Sequence, residues 1–337
     1  MLCKKYPADK SGSHIIPHFL VKAIFDAEDR KSRDKDVAYK IGNRDYEVAI
    51  GRSVLPEKIE KVLGEFEPED IKKLKPEYIQ DHIFCTDCEA FFADLESFYS
   101  KLQTRPASDG EQFKSTDNHF KASMFWLSIF WRVSATNLMH MSMGTKWEDK
   151  ARRDLINYQE FLMDGTDKAL SFSWCYKVMA IPSTKKDEDS IGTIFFHPIH
   201  KMPYMAIISE YVVALYSKPN HLDNPEQLFY GLEIPLRDAF VNNTKEGEVI
   251  LPISKKVLDE AVKKLNKKIA VLRLRRESQI LDLLHQKLGG KGQYMPRHIK
   301  DHILHVYTRS ELPPGRKYTL EGLIVAVNNV IPNYMQN

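Results

Sequence analysis

Hydrophobic and polar positions change period several times along the chain. SGSHIIPHFLVK, residues 11–22, begins as a short apolar strand, turns at Pro17 and opens a helix. The charge-dense DAEDRKSRDKD over 26–36 is expected as exposed loop or helix end. YKIGNRDYEVAIG over 39–51 alternates on either side of Gly42-Asn43 and predicts a strand pair with a turn. PEKIEKVLGEF and PEDIKKLKPEYIQDH, over 56–66 and 68–82, each place proline at a first helical position and predict short helices. FCTDCEAFFADLESFYSKL, residues 84–102, runs from a turn straight into a helix whose Phe91, Leu95, Phe98 and Leu102 share a core face. Glu89 and Glu96 share roughly the opposite face.

RPASDGEQ at 105–112 reads as a loop and a boundary. From Phe120 to Leu162 the pattern is helical, and its first part is apolar on every face, which predicts burial. Its densest run, MFWLSIFW from Met124 to Trp131, is shorter than a membrane span and meets Arg132, so no membrane association is expected. Burying an unpaired charge is costly, so Arg132 is expected to pair with a carboxylate. FSWCYKVMAIP, IGTIFFHPI and MAIISEYVVALYS, between Phe172 and Ser217, are rich in β-branched and aromatic residues. They predict a small antiparallel meander, with STKKDEDS at 183–190 as a connection. A long helix follows from Ser254 to Leu288, stopped at Gly289-Gly290, and shorter helices from Pro296 are divided by SELPPGRK at 310–317.

The resulting fold class is α+β: an N-terminal zinc-knuckle ββα-like unit, a helical middle, a small antiparallel sheet and a helical C-terminus. Three domains are expected, at 1–105, 106–253 and 254–337, the last a basic helical region. With 337 residues, 43% of them hydrophobic and 28% charged, the chain has the composition of a globular protein and not a disordered one. Four cysteines are too few for a disulfide framework in a chain of this length. Together with a polar, lysine-containing start, they lead to the expectation of a cytoplasmic protein without a secretory signal.

Cys85 and Cys88 form a C-x-x-C pair, with Cys3 far upstream. Such a turn can hold two thiolates on a zinc ion, but a closed structural site needs four ligands. Cys3 offers a third, and His14, His18 and His82 are the candidates for the fourth. Lys255 to Arg276 reads as an amphipathic helix with an apolar stripe of Leu258, Val262, Leu265, Ile269 and Leu272. Its basic residues Lys263, Lys264, Lys267, Arg273 and Arg276 are candidates for contacting nucleic-acid phosphates. The net charge of +3 is too small to name a partner.

Cys3, then SHIIP, then a cysteine pair running into a helix resembles the HNH, or His-Me finger, endonucleases. The arrangement is similar in particular to bacterial HNH-like proteins that read SHIIP…FL…K, then C-x-x-C-E…E, and continue with a buried tryptophan-arginine helix, here FWLSIFWR from Phe125 to Arg132. The likeness covers residues 1 to about 150. It implies a zinc-braced ββα unit hydrolysing phosphodiesters, DNA first, in defence against phage and under a regulatory protein partner. It assigns His14 as general base, Glu89 as ligand of a catalytic Mg²⁺ or Mn²⁺, and Glu96 as a second oxygen ligand. Ser13 stands where that family has an acidic residue or histidine, and Cys3 stands where it has a second cysteine pair. A catalytically inert zinc-knuckle module, binding nucleic acid or protein, is the alternative. RHIKDH, Arg297 to His302, is similar to the arginine–histidine motif of HEPN ribonucleases and implies a further alternative, metal-independent RNA cleavage by Arg297 and His302.

Overall fold

A computed structural model of the chain describes residues 2–21, 37–41, 46–50, 60, 78–102, 112–164, 172–182, 193–198, 202–218, 229–242, 247–309 and 319–335. The charged run at 26–36, the turn at Gly42-Asn43, most of the two proline-led segments, nearly all of RPASDGEQ, and the STKKDEDS and SELPPGRK connections lie outside the described residues. The fold is α+β. It divides into two compact units, Met1–Lys31 with Glu77–Val262, and Ser32–Pro76 with Lys263–Asn337.

The chain opens with strand β1 (Ser13–His14) and the single-turn helix α1 (His18–Val21). An antiparallel hairpin follows, β2 (Val37–Ile41) with β3 (Tyr46–Ile50), in the register Val37 to Ile50 and Ile41 to Tyr46. Strand β4 (Ile79–Gln80) then pairs antiparallel with β1, Ser13 opposite Gln80, and leads into helix α2 (Thr86–Ser100). After β5 (Phe113–Thr116) come helices α3 (His119–Ala135) and α4 (Thr145–Asp164). The expected meander is present as β6 (Cys175–Ala180), β7 (Ile194–Phe196), β8 (Tyr204–Ile208) and β9 (Tyr211–Tyr216), all paired antiparallel in the spatial order β6-β9-β8-β7. Beyond the short helix α5 (Glu233–Asp238), strand β10 (Glu248–Pro252) joins β6 in parallel and β5 antiparallel, making a six-stranded mixed sheet.

The position of α3 explains its composition. It packs against α2 and α4, while Trp126 meets Tyr211 and Phe130 meets Phe196 across the sheet, at centroid separations of 5.9 and 5.6 Å. Every residue from Ala122 to Ser134 is therefore buried, as a helix apolar on all faces must be. Strands β6, β8 and β9 are buried at every position, so they read as continuous apolar runs without alternation. On α2 the buried stripe is Cys88, Phe91, Phe92, Leu95 and Tyr99. Phe98 is only half-buried and Tyr99 takes the inward place, stacked on Phe125 with ring centroids 4.0 Å apart.

Most of α6 (Lys255–Lys287), together with α7 (Arg297–Arg309), α8 (Leu320–Val330) and the terminal turn α9 (Pro332–Met335), belongs to the second unit. Leu281, Met295, Ile303, Tyr307, Leu323, Ala326 and Val330 form one cluster there. The α6 helix ends as expected, with Gly289 at φ +79°, a conformation that glycine adopts without a side-chain clash. Its buried stripe includes Leu258, Ala261, Leu265, Arg273, Glu277 and Leu281. Leu272 is 39% exposed, whereas Arg273 is buried. The expected basic face therefore loses Arg273, because beyond Leu265 the helix turns that position inward beside Glu277, while Lys263, Lys264, Lys267 and Arg276 remain exposed.

Candidate metal centre and the histidine strand beside it

The N-terminal arm is laced onto the segment before α2. Ile15 N–H donates to the Tyr78 carbonyl at 2.8 Å, His82 N–H to Lys10 at 2.6 Å and Lys10 N–H to Phe84 at 3.2 Å. The Asp81 carboxylate accepts from Gly12 N–H at 2.6 Å. From the other side, Arg152 on α4 donates through Nη1 to the Leu2 carbonyl at 3.1 Å. These bonds carry Cys3 to the start of α2, where Cys85 is the N-cap and Cys88 lies in the first turn.

The three sulfurs converge. Cys3 Sγ is 3.6 Å from Cys85 Sγ, Cys85 Sγ is 3.4 Å from Cys88 Sγ, and all three lie within 4.8 Å of one another as free thiols. Zinc–sulfur bonds of ~2.3 Å in tetrahedral geometry place thiolates about 3.8 Å apart, so the group fits a metal ion closely. The N-terminus of α2 adds a partial positive charge that favours thiolates. Burial works against ionising Cys3, but backbone N–H groups of Lys5 and Tyr6 and the neighbouring thiols outweigh it and bring its pKa down to about 7. At Cys88 burial dominates and pushes the thiol well up, the state from which a bound cation displaces the proton. His82 lies on an exposed turn and is not part of the sulfur group.

His14 lies on β1, the strand that pairs with β4 ahead of α2. Ser13, its neighbour, points inward, 2% exposed, and its hydroxyl has no hydrogen-bond partner. The half-buried His14 ring stands edge-on to that of His18, with centroids 6.3 Å apart. The strand is held from behind by Arg132, whose Nη1 donates to the His14 carbonyl at 2.8 Å and to Glu96 Oε1 at 2.7 Å. The guanidinium, 1% exposed, also lies over the Phe92 ring at 4.7 Å. Arg132 thus has the carboxylate partner its burial requires, and the Glu96 oxygen that binds it braces α2 against α3 and β1. Glu89, one residue past Cys88, is half-buried, and its Oε1 is closed to solvent without a hydrogen-bond partner. Among the described residues the three cysteines are the one group of three or more metal-ligating side chains whose ligand atoms lie this close together.

A second polar centre carries no sequence signal at all. Glu248, at the start of β10 beside an irregularity in the β5–β10 register, is fully buried. Its carboxylate accepts from Tyr99 Oη at 3.0 Å, Trp126 Nε1 at 3.0 Å, Tyr176 Oη at 3.0 Å and Ser115 Oγ at 2.5 Å. Burial raises its pKa in spite of these neutral donors, and burial with the nearby carboxylate raises both tyrosines. Five elements, α2, α3, β5, β6 and β10, meet on one side chain. A lone glutamate opening an apolar strand gives no hint of this, because its four partners lie 72 to 149 residues away.

In the second unit, Arg297 is 94% exposed and paired with Asp301 at 3.4 Å. His302 is also exposed, and its Nδ1 meets Tyr334 Oη at 3.2 Å. No helix of the described residues is long and apolar enough to cross a membrane. No protein-family model, curated protein or solved structure matches the chain.

Proposed function

We propose that the first unit is a metal-dependent nuclease centre of the His-Me finger type, hydrolysing nucleic-acid phosphodiesters, DNA first. The observation that carries this reading is the order β1–β4–α2. An antiparallel strand pair presents His14, and the helix that follows it starts at a three-cysteine group able to hold zinc.

In this reading the sulfur group pins the N-terminal arm to α2 and takes no part in the cleavage step. The His14 imidazole accepts a proton from water as its oxygen attacks phosphorus and the bond from phosphorus to the 3′ oxygen breaks. Glu89 is the residue that would hold Mg²⁺ or Mn²⁺. One of its oxygens is shielded and has no hydrogen-bond partner, which leaves it available to a cation, and one carboxylate with substrate oxygens and water suffices for such an ion. When bound, the ion neutralises charge developing on the phosphoryl and leaving oxygens. Arg132 and Glu96 position the strand that carries His14 without touching the reaction. The exposed Lys263, Lys264, Lys267 and Arg276 supply sequence-independent attraction for phosphates.

Two observations favour a second reading, an inert zinc-knuckle binding module: Ser13 brings no acid to the site, and Glu96 is engaged by Arg132. Cleavage of supercoiled plasmid and single-stranded RNA, with Mg²⁺ or Mn²⁺ and with EDTA, separates the two. The nuclease reading expects metal-dependent plasmid cutting that His14→Ala abolishes while melting temperature and zinc content hold. Binding without cutting supports the inert module, and RNA cutting that survives both EDTA and His14→Ala moves the chemistry to Arg297 and His302.

A further inference from the structure

A zinc site that serves structure alone is closed by four protein ligands, whereas three leave a position open to exchange. Among the described residues only three meet in this group. The fourth cysteine, Cys175, is outside it, buried in the central sheet. Ten of the twelve histidines are among the described residues and none joins the sulfurs, leaving His200 and His221 as the other imidazoles of the chain. Access to the group is one-sided: Cys85 and Cys88 are buried, while Cys3 is partly exposed.

We propose that Cys3, Cys85 and Cys88 form a coordinatively open site. The fourth position on a zinc-class ion is taken by an exchangeable ligand from solution, of the soft-anion class, a low-molecular-weight thiolate. Three thiolates already give a divalent ion a soft, sulfur-rich environment in which a fourth sulfur is favoured over water. The surplus negative charge this creates is met by the N-terminus of α2 and by Lys5 N–H, which already donates to Cys3 Sγ at 3.4 Å. The Arg152 guanidinium, one residue away at the Leu2 carbonyl, adds a positive charge on the same flank. The inference rests on the sulfur group as a metal site and is independent of the nuclease chemistry.

The test uses the full chain, purified with a phosphine in place of a thiol reductant, loaded with Co²⁺ and titrated with 2-mercaptoethanol. The open site predicts one cobalt per chain. Its sulfur-to-cobalt charge-transfer band rises on titration from the intensity of three thiolates to that of four, and Cys175→Ser leaves both states unchanged. A band that ignores the added thiol overturns openness while leaving the metal site standing. So does a starting spectrum altered by His82→Ala or by the His200→Ala/His221→Ala pair, because a protein ligand then fills the position. Failure to take up cobalt overturns the metal site itself.

Discussion

Arg132 is almost wholly removed from water yet carries a full charge, and its surroundings answer that charge at each donor. Glu96, the His14 carbonyl and the Ser128 carbonyl accept from it, and Phe92 lies beneath it. The need for a carboxylate was legible in the sequence, since an arginine inside FWLSIFWR has no other way to be buried. Its identity was not, because Glu96 lies 36 residues away on another helix and reads as a solvated position of an amphipathic surface. Glu248 is the opposite case, a buried acid answered by hydroxyls and an indole. Its folded-state pKa is raised above the ordinary 4.5, so protonation favours the folded chain. The stability contributed by this group is fully present below the unfolded pKa and is lost as pH rises through the folded one. Urea unfolding of wild type and Glu248→Gln, from acid to neutral pH, should show a downward slope in wild-type stability above the ordinary carboxylate range that is missing in the variant. Parallel slopes would mean that the donors hold Glu248 ionised throughout.

Among elements, the types of the long periodic segments followed from pattern alone: α2, α3 and α6 each have a sustained helical period, and β6 to β9 are short β-branched runs. Which residue of an element faces inward was less legible. A stripe drawn in steps of seven puts Leu272 inside, whereas Arg273, eight past Leu265, is the buried one. The parallel joining of β10 to β6, across some seventy residues, leaves no local trace. The α6 pattern separates two kinds of basic residue. Replacing Lys263, Lys264 and Lys267 by alanine should weaken binding to duplex DNA of any sequence and flatten the dependence of log K on log salt by about 2 to 3 units, with stability unchanged. Arg273→Ala should lower stability by contrast, since it strips a partner from buried Glu277. An unchanged salt slope in the triple variant, measured by fluorescence anisotropy, would make that face solvated surface only.

At the scale of the molecule, the candidate site is assembled from segments far apart in the chain, and only part of it was readable. The cysteine pair and the histidine strand were visible as motifs. The meeting of that pair with Cys3 depends on an arm laced by backbone bonds to residues 78–84, a pairing no local pattern encodes. The convergence of three sulfurs supports a metal at the head of α2, and Glu89, the residue after Cys88, has one shielded oxygen without a hydrogen-bond partner. The central claim is that this oxygen belongs to a catalytic cation and not to the scaffold. The measurement that tests it most directly is Mn²⁺-dependent cleavage of supercoiled plasmid by wild type and Glu89→Gln at matched melting temperature and zinc content. The account predicts that the variant folds as stably as wild type and that its cutting falls to the level seen in EDTA. Cutting by Glu89→Gln at the wild-type rate and with the wild-type Mn²⁺ dependence would contradict it.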